Sequence, residues 1–251
     1  MIKIIMSGCN GKMGQVITRL VNEMDDVEIV AGIDVNDSIS NSYPLFKNPF
    51  DCNIPADAII DFSHPAMFDK ITDYAVKINT PIIVATTGLT EENMNKINII
   101  KDKVAIFFSA NMSLGINVLI ELLKKATPVL EDNFDIEIVE KHHNQKIDAP
   151  SGTALALADA VKDTLTYEPE YKYERHSERV KRDKKEIGLH AIRGGTIVGE
   201  HTVIYAGTDE VIELKHTATS KEVFAVGAIK AAKFLKGKPA GRYSMTDLVN
   251  S

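Results

Sequence analysis

Five runs dominated by Ile, Val and Ala punctuate the first part of the chain: Ile2 to Met6, Val27 to Ile33, Ala58 to Asp61, Pro81 to Ala85 and Val104 to Ser109. Helical patterns at Lys12 to Asn22, Ala66 to Ile78, Glu91 to Lys101 and Leu114 to Leu130 lie between or after them. A strand without a polar side needs cover on both faces, and a helix after each strand supplies it. The alternation therefore predicts an α/β fold, a parallel sheet clothed by helices. From Val35 to Pro55 the rhythm is broken by Asn, Asp, Ser and Pro, which reads as a surface excursion.

Beyond Ser113 the texture changes. Phe134 to His143 reads as a strand in which Ile136 and Ile138 oppose Glu137 and Glu140, giving one polar face. Thr153 to Leu165 reads as a helix with Leu155, Ala158, Val161 and Leu165 along one side. Ile187 to Ile192, Ile197 to Tyr205 and Val211 to Thr217 read as strands joined by Gly194-Gly195 and Gly207-Thr208-Asp209. Closely spaced strands with glycine turns predict an antiparallel or mixed sheet, hence a second, α+β domain beginning near Asn111. Tyr171 to Glu186 is dense in charge of both signs and reads as a solvated loop rather than a nucleic-acid surface.

Bulk properties narrow the function classes. A formal net charge of -6 over 251 residues argues against a general binder of nucleic acid or anionic membrane, so an acidic ligand needs a local positive site. Cys9 and Cys52 alone do not make a disulfide scaffold, and a reducing cytoplasm is the simpler setting. The apolar start breaks at Ser7-Gly8, too early for a secretory segment, and no apolar run approaches the roughly 18 residues of a membrane span. The expectation is a soluble intracellular protein.

Ser7-Gly8-Cys9-Asn10-Gly11-Lys12-Met13-Gly14 follows the first strand and opens the first helix. Gly8, Gly11 and Gly14 form a variant of the dinucleotide fingerprint, in which glycine lets the backbone approach a pyrophosphate at a helix N-terminus. Asp34 ends the second strand 20 residues beyond Gly14, where an acid meets the ribose hydroxyls. Cys9 reads as a small residue against the pyrophosphate. Ala85-Thr86-Thr87-Gly88 and Ser109-Ala110-Asn111-Met112-Ser113 follow further parallel strands, where open α/β sheets place ligands. Their Thr and Ser residues serve equally well as helix caps.

The segment Glu140 to Ala154, EKHHNQKIDAPSGTA, gathers two histidines, a lysine and a Pro-Ser-Gly-Thr helix start. His142 and Lys146 can give a proton, Lys146 holds a negative charge, and the amides of Gly152 and Thr153 face an anion at the helix N-terminus. A metal site is disfavoured, because neighbouring strand residues point to opposite faces and no Cys or third His is suitably spaced. Together these groups suit an anionic substrate that must be protonated.

Across essentially its whole length the sequence resembles the 4-hydroxy-tetrahydrodipicolinate reductase family, the dihydrodipicolinate reductases of lysine and diaminopimelate biosynthesis. The resemblance lies in SGCNGKMG at Ser7, ATTG at Ala85, SANMSLGIN at Ser109, EKHHNQKIDAPSGTA at Glu140 and IRGGTIVGEHTV at Ile192. It implies a Rossmann-like dinucleotide-binding domain over residues 1–110, completed by the tail 222–251. It also implies an α+β domain for substrate and homotetramer assembly over residues 111–221. Cofactor contacts are implied at Gly8, Cys9, Asn10, Gly11, Lys12, Met13, Asp34, Ala85, Thr86, Thr87, Ser109, Ala110, Asn111 and Met112. His142 and Lys146 match the proton-donor positions, and His143, Lys146, Gly152 and Thr153 those that hold the carboxylates of a cyclic dicarboxylate. Members that use NADPH well often carry arginine after the ribose-binding acid. Val35 stands there, so NADH and NADPH are both expected to serve, NADH at least as well.

Two other readings compete. A different two-domain nicotinamide oxidoreductase explains the glycine turn but leaves the histidine-lysine segment without a purpose. A non-catalytic NAD(H) sensor needs a partner or DNA surface, and neither a helix-turn-helix nor a basic patch is evident.

Overall fold

The structure, a computed structural model, describes residues 1–251. In chain order it runs β1 (Ile2–Ser7), α1 (Lys12–Asn22), β2 (Val27–Ile33), β3 (Leu45–Phe46), β4 (Ala58–Asp61), α2 (Phe68–Lys77), β5 (Ile82–Val84), α3 (Glu91–Ile100) and β6 (Ala105–Phe108). Then come α4 (Leu114–Leu130), β7 (Asp135–His142), α5 (Gly152–Lys162), β8 (Glu170–Lys172), β9 (Glu186–Arg193), β10 (Gly199–Ala206) and β11 (Val211–Ala218). The chain closes with α6 (Glu222–Leu235), β12 (Gly241–Tyr243) and α7 (Met245–Val249). Two compact units result, one of residues 1–114 with 222–251 and one of residues 115–221. No helix is long and apolar enough to cross a membrane.

The first unit is a parallel sheet in the order β12-β6-β5-β4-β1-β2-β3. Side chains alternate across it, as extended backbone requires. Ile4, Met6, Ile60, Ile83 and Phe107 enter one core with α1 and α6. Ile5, Ile59, Ile82, Val84 and Ile106 enter the other, with α2 and α3. The strand order reverses between β1 and β4, so the crevice at their carboxyl ends opens at Ser7-Gly8 and at Phe62-Ser63.

The second unit is a mixed sheet in the order β11-β10-β7-β9-β8. β10 runs antiparallel to β7 and β11, while β9 runs parallel to β7 and β8. Ile136, Ile138, Leu189, Val203 and Tyr205 pack against Leu119 and Leu123 of α4 and Leu157 and Val161 of α5.

Four expectations need correction. Glu140 does not lie on a polar face with Glu137. It lies two and four residues beyond Ile138 and Ile136, so the period of two puts it on their buried side, with His142 after it. Tyr171 and Lys172 are not loop but strand β8, paired with Ile187 and Gly188. The rest of that charged stretch is tied down by Arg182, which bonds the Asp135 and Glu137 carboxylates and the carbonyls of Ile136, Asp183 and Glu186. The excursion after Val35 contains edge strand β3, and Pro65–Met67 form a 3₁₀ turn before α2 rather than its first turn.

Gly8 and Gly14 fix the glycine turn by contact. Gly8 has φ +78°, and a Cβ there would lie 2.7 Å from the Phe62 carbonyl oxygen. A Cβ on Gly14 would lie 2.2 Å from the Gly8 carbonyl oxygen and 2.6 Å from Cys9 Cα, all backbone that cannot swing aside. Gly14→Ala is therefore expected to lower unfolding free energy by roughly 1–3 kcal/mol through overpacking. Gly194→Ala, whose added methyl meets nothing within 4 Å, should stay near wild type. Urea denaturation of the two variants checks the contrast.

Candidate active site

The first unit carries a cleft of about 290 Å³ at the β1–β4 crevice, lined among others by Ser7, Gly8, Asn10, Gly11, Asp34, Phe62, Ser63 and His64. Its electrostatics are set by α1 and Asp34. Gly11 caps α1 without a side-chain hydrogen bond, and no acidic residue sits in the first turn. The helix thus keeps its exposed N–H groups and partial positive charge for an anion. Across the cleft, Asp34 takes the amide of Asn10 on one oxygen and that of Asn36 on the other, both at 2.9 Å. An amide relay holds this corner together: Gln15 donates to Asn41 at 3.1 Å, Asn41 to Asn10 at 2.7 Å, and Asn10 to the Asn36 carbonyl at 2.6 Å. A helix N-terminus that donates, facing a fixed acid that accepts, is the set of groups that a pyrophosphate and ribose require.

Gly8, Asn10, Gly11 and Asp34 meet on this cleft, with Lys12 and Met13 opening α1 beside it. Cys9 does not line it. Its side chain is fully buried, packed toward Gly32 and Tyr43, and burial followed by the Asp34 charge pushes its thiol up to about 11. Ala85, Thr86 and Thr87 follow β5, and Ser109 to Met112 follow β6, along the same carboxyl edge. The Thr86 hydroxyl lies 2.7 Å from Asp61 Oδ2 and 3.1 Å from the Ser63 carbonyl oxygen. Asp61 is fully enclosed; burial pushes its carboxyl up, against hydrogen bonds from Ser63 and Thr86. Asp61, Phe62, Ser63 and His64 escaped the sequence reading, although an acid closing the run Ala58-Ile59-Ile60 was a visible signal.

In the second unit the candidate residues gather at the end of β7 and the start of α5. His142 is buried, while His143 and Lys146 are half-buried in the turn that follows. That turn is tied to the Gly194-Gly195 turn by Gly194 N to the His142 carbonyl at 2.9 Å and Asn144 N to the Gly195 carbonyl at 3.2 Å. Lys146 Nζ bonds Asp148 at 2.9 Å, which holds that carboxyl below its usual range. Ser151 caps α5 by accepting from Ala154 N at 3.1 Å. No acid stands in the first turn of α5, so its N-terminus keeps partial positive charge, which the Asp148 carboxylate meets at the Gly152 amide.

Beneath this surface lie Glu140, Arg193 and His201, none singled out by spacing alone. Glu140 is 0% exposed. It receives both arms of Arg193 at 2.7 Å, the Ser151 amide at 3.0 Å and His142 Nδ1 at 2.6 Å. Burial pushes this carboxyl up, but those four donors outweigh it and hold it below the usual range. The His201 ring stands edge-on to His142 with centroids 5.1 Å apart, and its Nε2 is 3.0 Å from Ser151 Oγ.

Burial, and then the neighbouring His142 charge, lower His201 to about 4. The folded protein therefore binds fewer protons than the unfolded chain between pH 4 and the ordinary value of 6.5. Stability is retained above 6.5 and falls as pH drops toward 4, by roughly 3 kcal/mol from this residue. Urea unfolding at pH 7 and pH 5 should show the loss, and His201→Gln should show less of it.

Comparison with known proteins places these two units. Residues 2–112 match the family profile of the dihydrodipicolinate reductase N-terminus, and residues 115–249 that of its C-terminus. The 4-hydroxy-tetrahydrodipicolinate reductase of Clostridium tetani is 49% identical over 251 residues, covering 100% of this chain and 98% of that one. That of Caldanaerobacter subterraneus is 51% identical over 249 residues, with 99% and 98% covered. In fold, the chain is similar to a dipicolinate-bound dihydrodipicolinate reductase from Paenisporosarcina sp. TG-14, at a TM-score of 0.83, 22% identity and coverage of 100% and 99%. A probable dehydrogenase from Thermotoga maritima shares the fold more distantly, at a TM-score of 0.64 and 12% identity, over 99% of this chain and 92% of that one. Matched in both halves and half identical to named relatives from end to end, the chain belongs to the dihydrodipicolinate reductase family.

Proposed function

We propose that the chain reduces 4-hydroxy-tetrahydrodipicolinate, the compound its relatives are named for, to tetrahydrodipicolinate in lysine and diaminopimelate biosynthesis. It is an oxidoreductase of that family. The observation that carries the assignment of roles is the cluster of the second unit, a histidine seated on a buried carboxylate, a lysine after it and a helix N-terminus with no acid in its first turn.

When bound, the reduced nicotinamide supplies hydride to a ring carbon conjugated with the substrate's C=N bond. The adjacent carbon takes a proton, and His142 and Lys146 give it. Lys146, His143 and the amides of Gly152 and Thr153 hold the two carboxylates, so charge and orientation do much of the work. In the first unit, the glycine turn and the amides opening α1 cradle the pyrophosphate, and Asp34 accepts from the ribose. Ala85 to Thr87 and Ser109 to Met112 border the nicotinamide. The reading includes a homotetramer built through the second unit; the edge strand β11, exposed at alternate residues, supports it. It also includes a cytoplasmic setting, which the free, buried Cys9 and Cys52 support.

His142→Ala and Lys146→Ala should each lose turnover by about 10²–10⁴-fold, as expected for a positioned proton donor. NADH binding, read by fluorescence titration, should persist. Wild-type turnover in both variants would sink the assignment. The two losses need not add, since both residues serve one proton transfer.

Cofactor preference follows from Asp34. Its carboxylate is pinned by two amides and cannot swing away from a 2′-phosphate, and the exposed Val35 beside it offers no charge. Lys12, exposed at the start of α1, is the cation that partly offsets the repulsion. NADH should serve at least as well as NADPH in kcat/KM, compared at two salt concentrations because salt screens exposed charge. A tenfold preference for NADPH would overturn this reading of Asp34 while leaving the reductase assignment intact.

A further inference from the structure

We propose that Glu140, held by Arg193, is a positioning residue that fixes His142 with Nδ1–H turned inward and Nε2 presented as the proton-donating atom. The inference rests on the reading of His142 as a proton donor and adds which nitrogen acts and what sets it.

Glu140 and His142 are two residues apart on β7, so both project to the buried side. Arg193 comes from the neighbouring strand β9, where it is the registered partner of His142. Its guanidinium grips Glu140 in a two-armed pair, Nη1 to Oε2 and Nη2 to Oε1, both at 2.7 Å. Arginine does not surrender its proton, and its half-buried guanidinium meets Glu140 through both arms, so Glu140 is ionised. An ionised carboxylate only accepts. The 2.6 Å contact with His142 therefore requires the hydrogen on Nδ1, which fixes the tautomer by chemistry rather than by choice. Nε2 is left as the nitrogen that exchanges protons. It faces Gly199, where even a methyl group would come within 3.2 Å, so the absence of a side chain keeps that nitrogen open.

The same carboxylate reaches the rest of the cluster. Oε1 takes the Ser151 amide, anchoring the start of α5. Arg193 Nη2 also bonds the Asp148 carbonyl at 2.6 Å, and the Asp148 carboxylate bonds Lys146. Both proton donors and the anion-binding helix start thus trace back to one buried acid. The charged and titratable groups around His142 are Glu140 on its own strand, Arg193 on β9, His201 on β10 with His216 beyond it on β11, and Lys146 with Asp148 in the loop. Only Glu140 bonds the ring.

Replacing Glu140 by Gln leaves one acceptor where Arg193, His142 and Ser151 need two oxygens. Glu140→Gln should lower kcat by ten- to a hundredfold or more, as loss of such orienting partners does, with KM for NADH within about twofold of wild type. Glu140→Asp should recover part of the lost kcat. A wild-type kcat in Glu140→Gln would overturn the proposal. Should that variant fail to fold, long-range ¹⁵N–¹H spectra of wild-type histidines, assigned with His142→Gln, decide the question. The neutral ring must show hydrogen on Nδ1, and hydrogen on Nε2 refutes the assignment. The spectra need no turnover. Wild-type protein with the stated tautomer but no reduction of the substrate would refute the proposed function alone.

Discussion

A parallel sheet that must stay dry on both faces governs the first unit. Every strand between β1 and β6 sends alternate apolar side chains into two separate cores, Ile4 and Met6 one way and Ile5 the other. Polar chemistry is thereby driven to the strand ends. Ser7-Gly8, Asp61 to His64, Thr86 and Ser109 all stand at carboxyl ends of strands, where the backbone leaves the sheet and polar groups find donors or solvent. The turn after β1 is compressed by its own backbone contacts, which keep α1 close and its N-terminus aimed at the cleft.

The second unit solves the opposite problem, keeping charge inside a core. Glu140 continues the same buried row as Ile136 and Ile138. Stripping a carboxylate of water costs several kcal/mol, and breaking one partner of such a pair is more damaging than never having built it. Four donors offset that cost here, and His201 contributes by remaining uncharged beside them. Rigidity is the return. His142, Ser151 and Asp148 are all bonded to the Glu140–Arg193 pair, so the end of β7, the loop after it and the start of α5 stand in fixed relation.

Much of this was legible in the sequence, for local reasons. The apolar runs, the glycine turn and the Ser151 cap each announce themselves within a few residues, and the strands and helices of the parallel sheet lie close to where the pattern puts them. What stayed hidden depends on distant partners. β8 and β3 are too short to show a period, and they exist because β9 and β2 offer them an edge. Arg193 lies 53 residues from Glu140, and nothing in the sequence nearby marks it as the cation for a buried acid. Glu140 itself was misplaced by residue type. Counting by twos from Ile136 puts it indoors, whereas treating glutamate as a surface residue puts it outdoors. Cys9 sat in a ligand motif yet turned out to belong to the core, because Gly32 leaves room for its sulfur.

The second unit is an insertion within the first, since residues 222–251 return to the sheet that residues 1–114 begin. This has a meaning in time. The face of the sheet carrying Ile4, Met6, Ile60 and Phe107 gets α6 as cover, with Ala225, Ala228, Ile229, Ala232 and Leu235 fully or almost fully buried there. β12 then adds the strand beside β6. During synthesis residues 115–221 can close their own core as soon as they emerge, while the earlier residues wait with one apolar face open. Contacts of such long sequence separation form late and slowly. The nascent first unit is thus the aggregation-prone partner, and the tail acts as the clasp that ends its exposure.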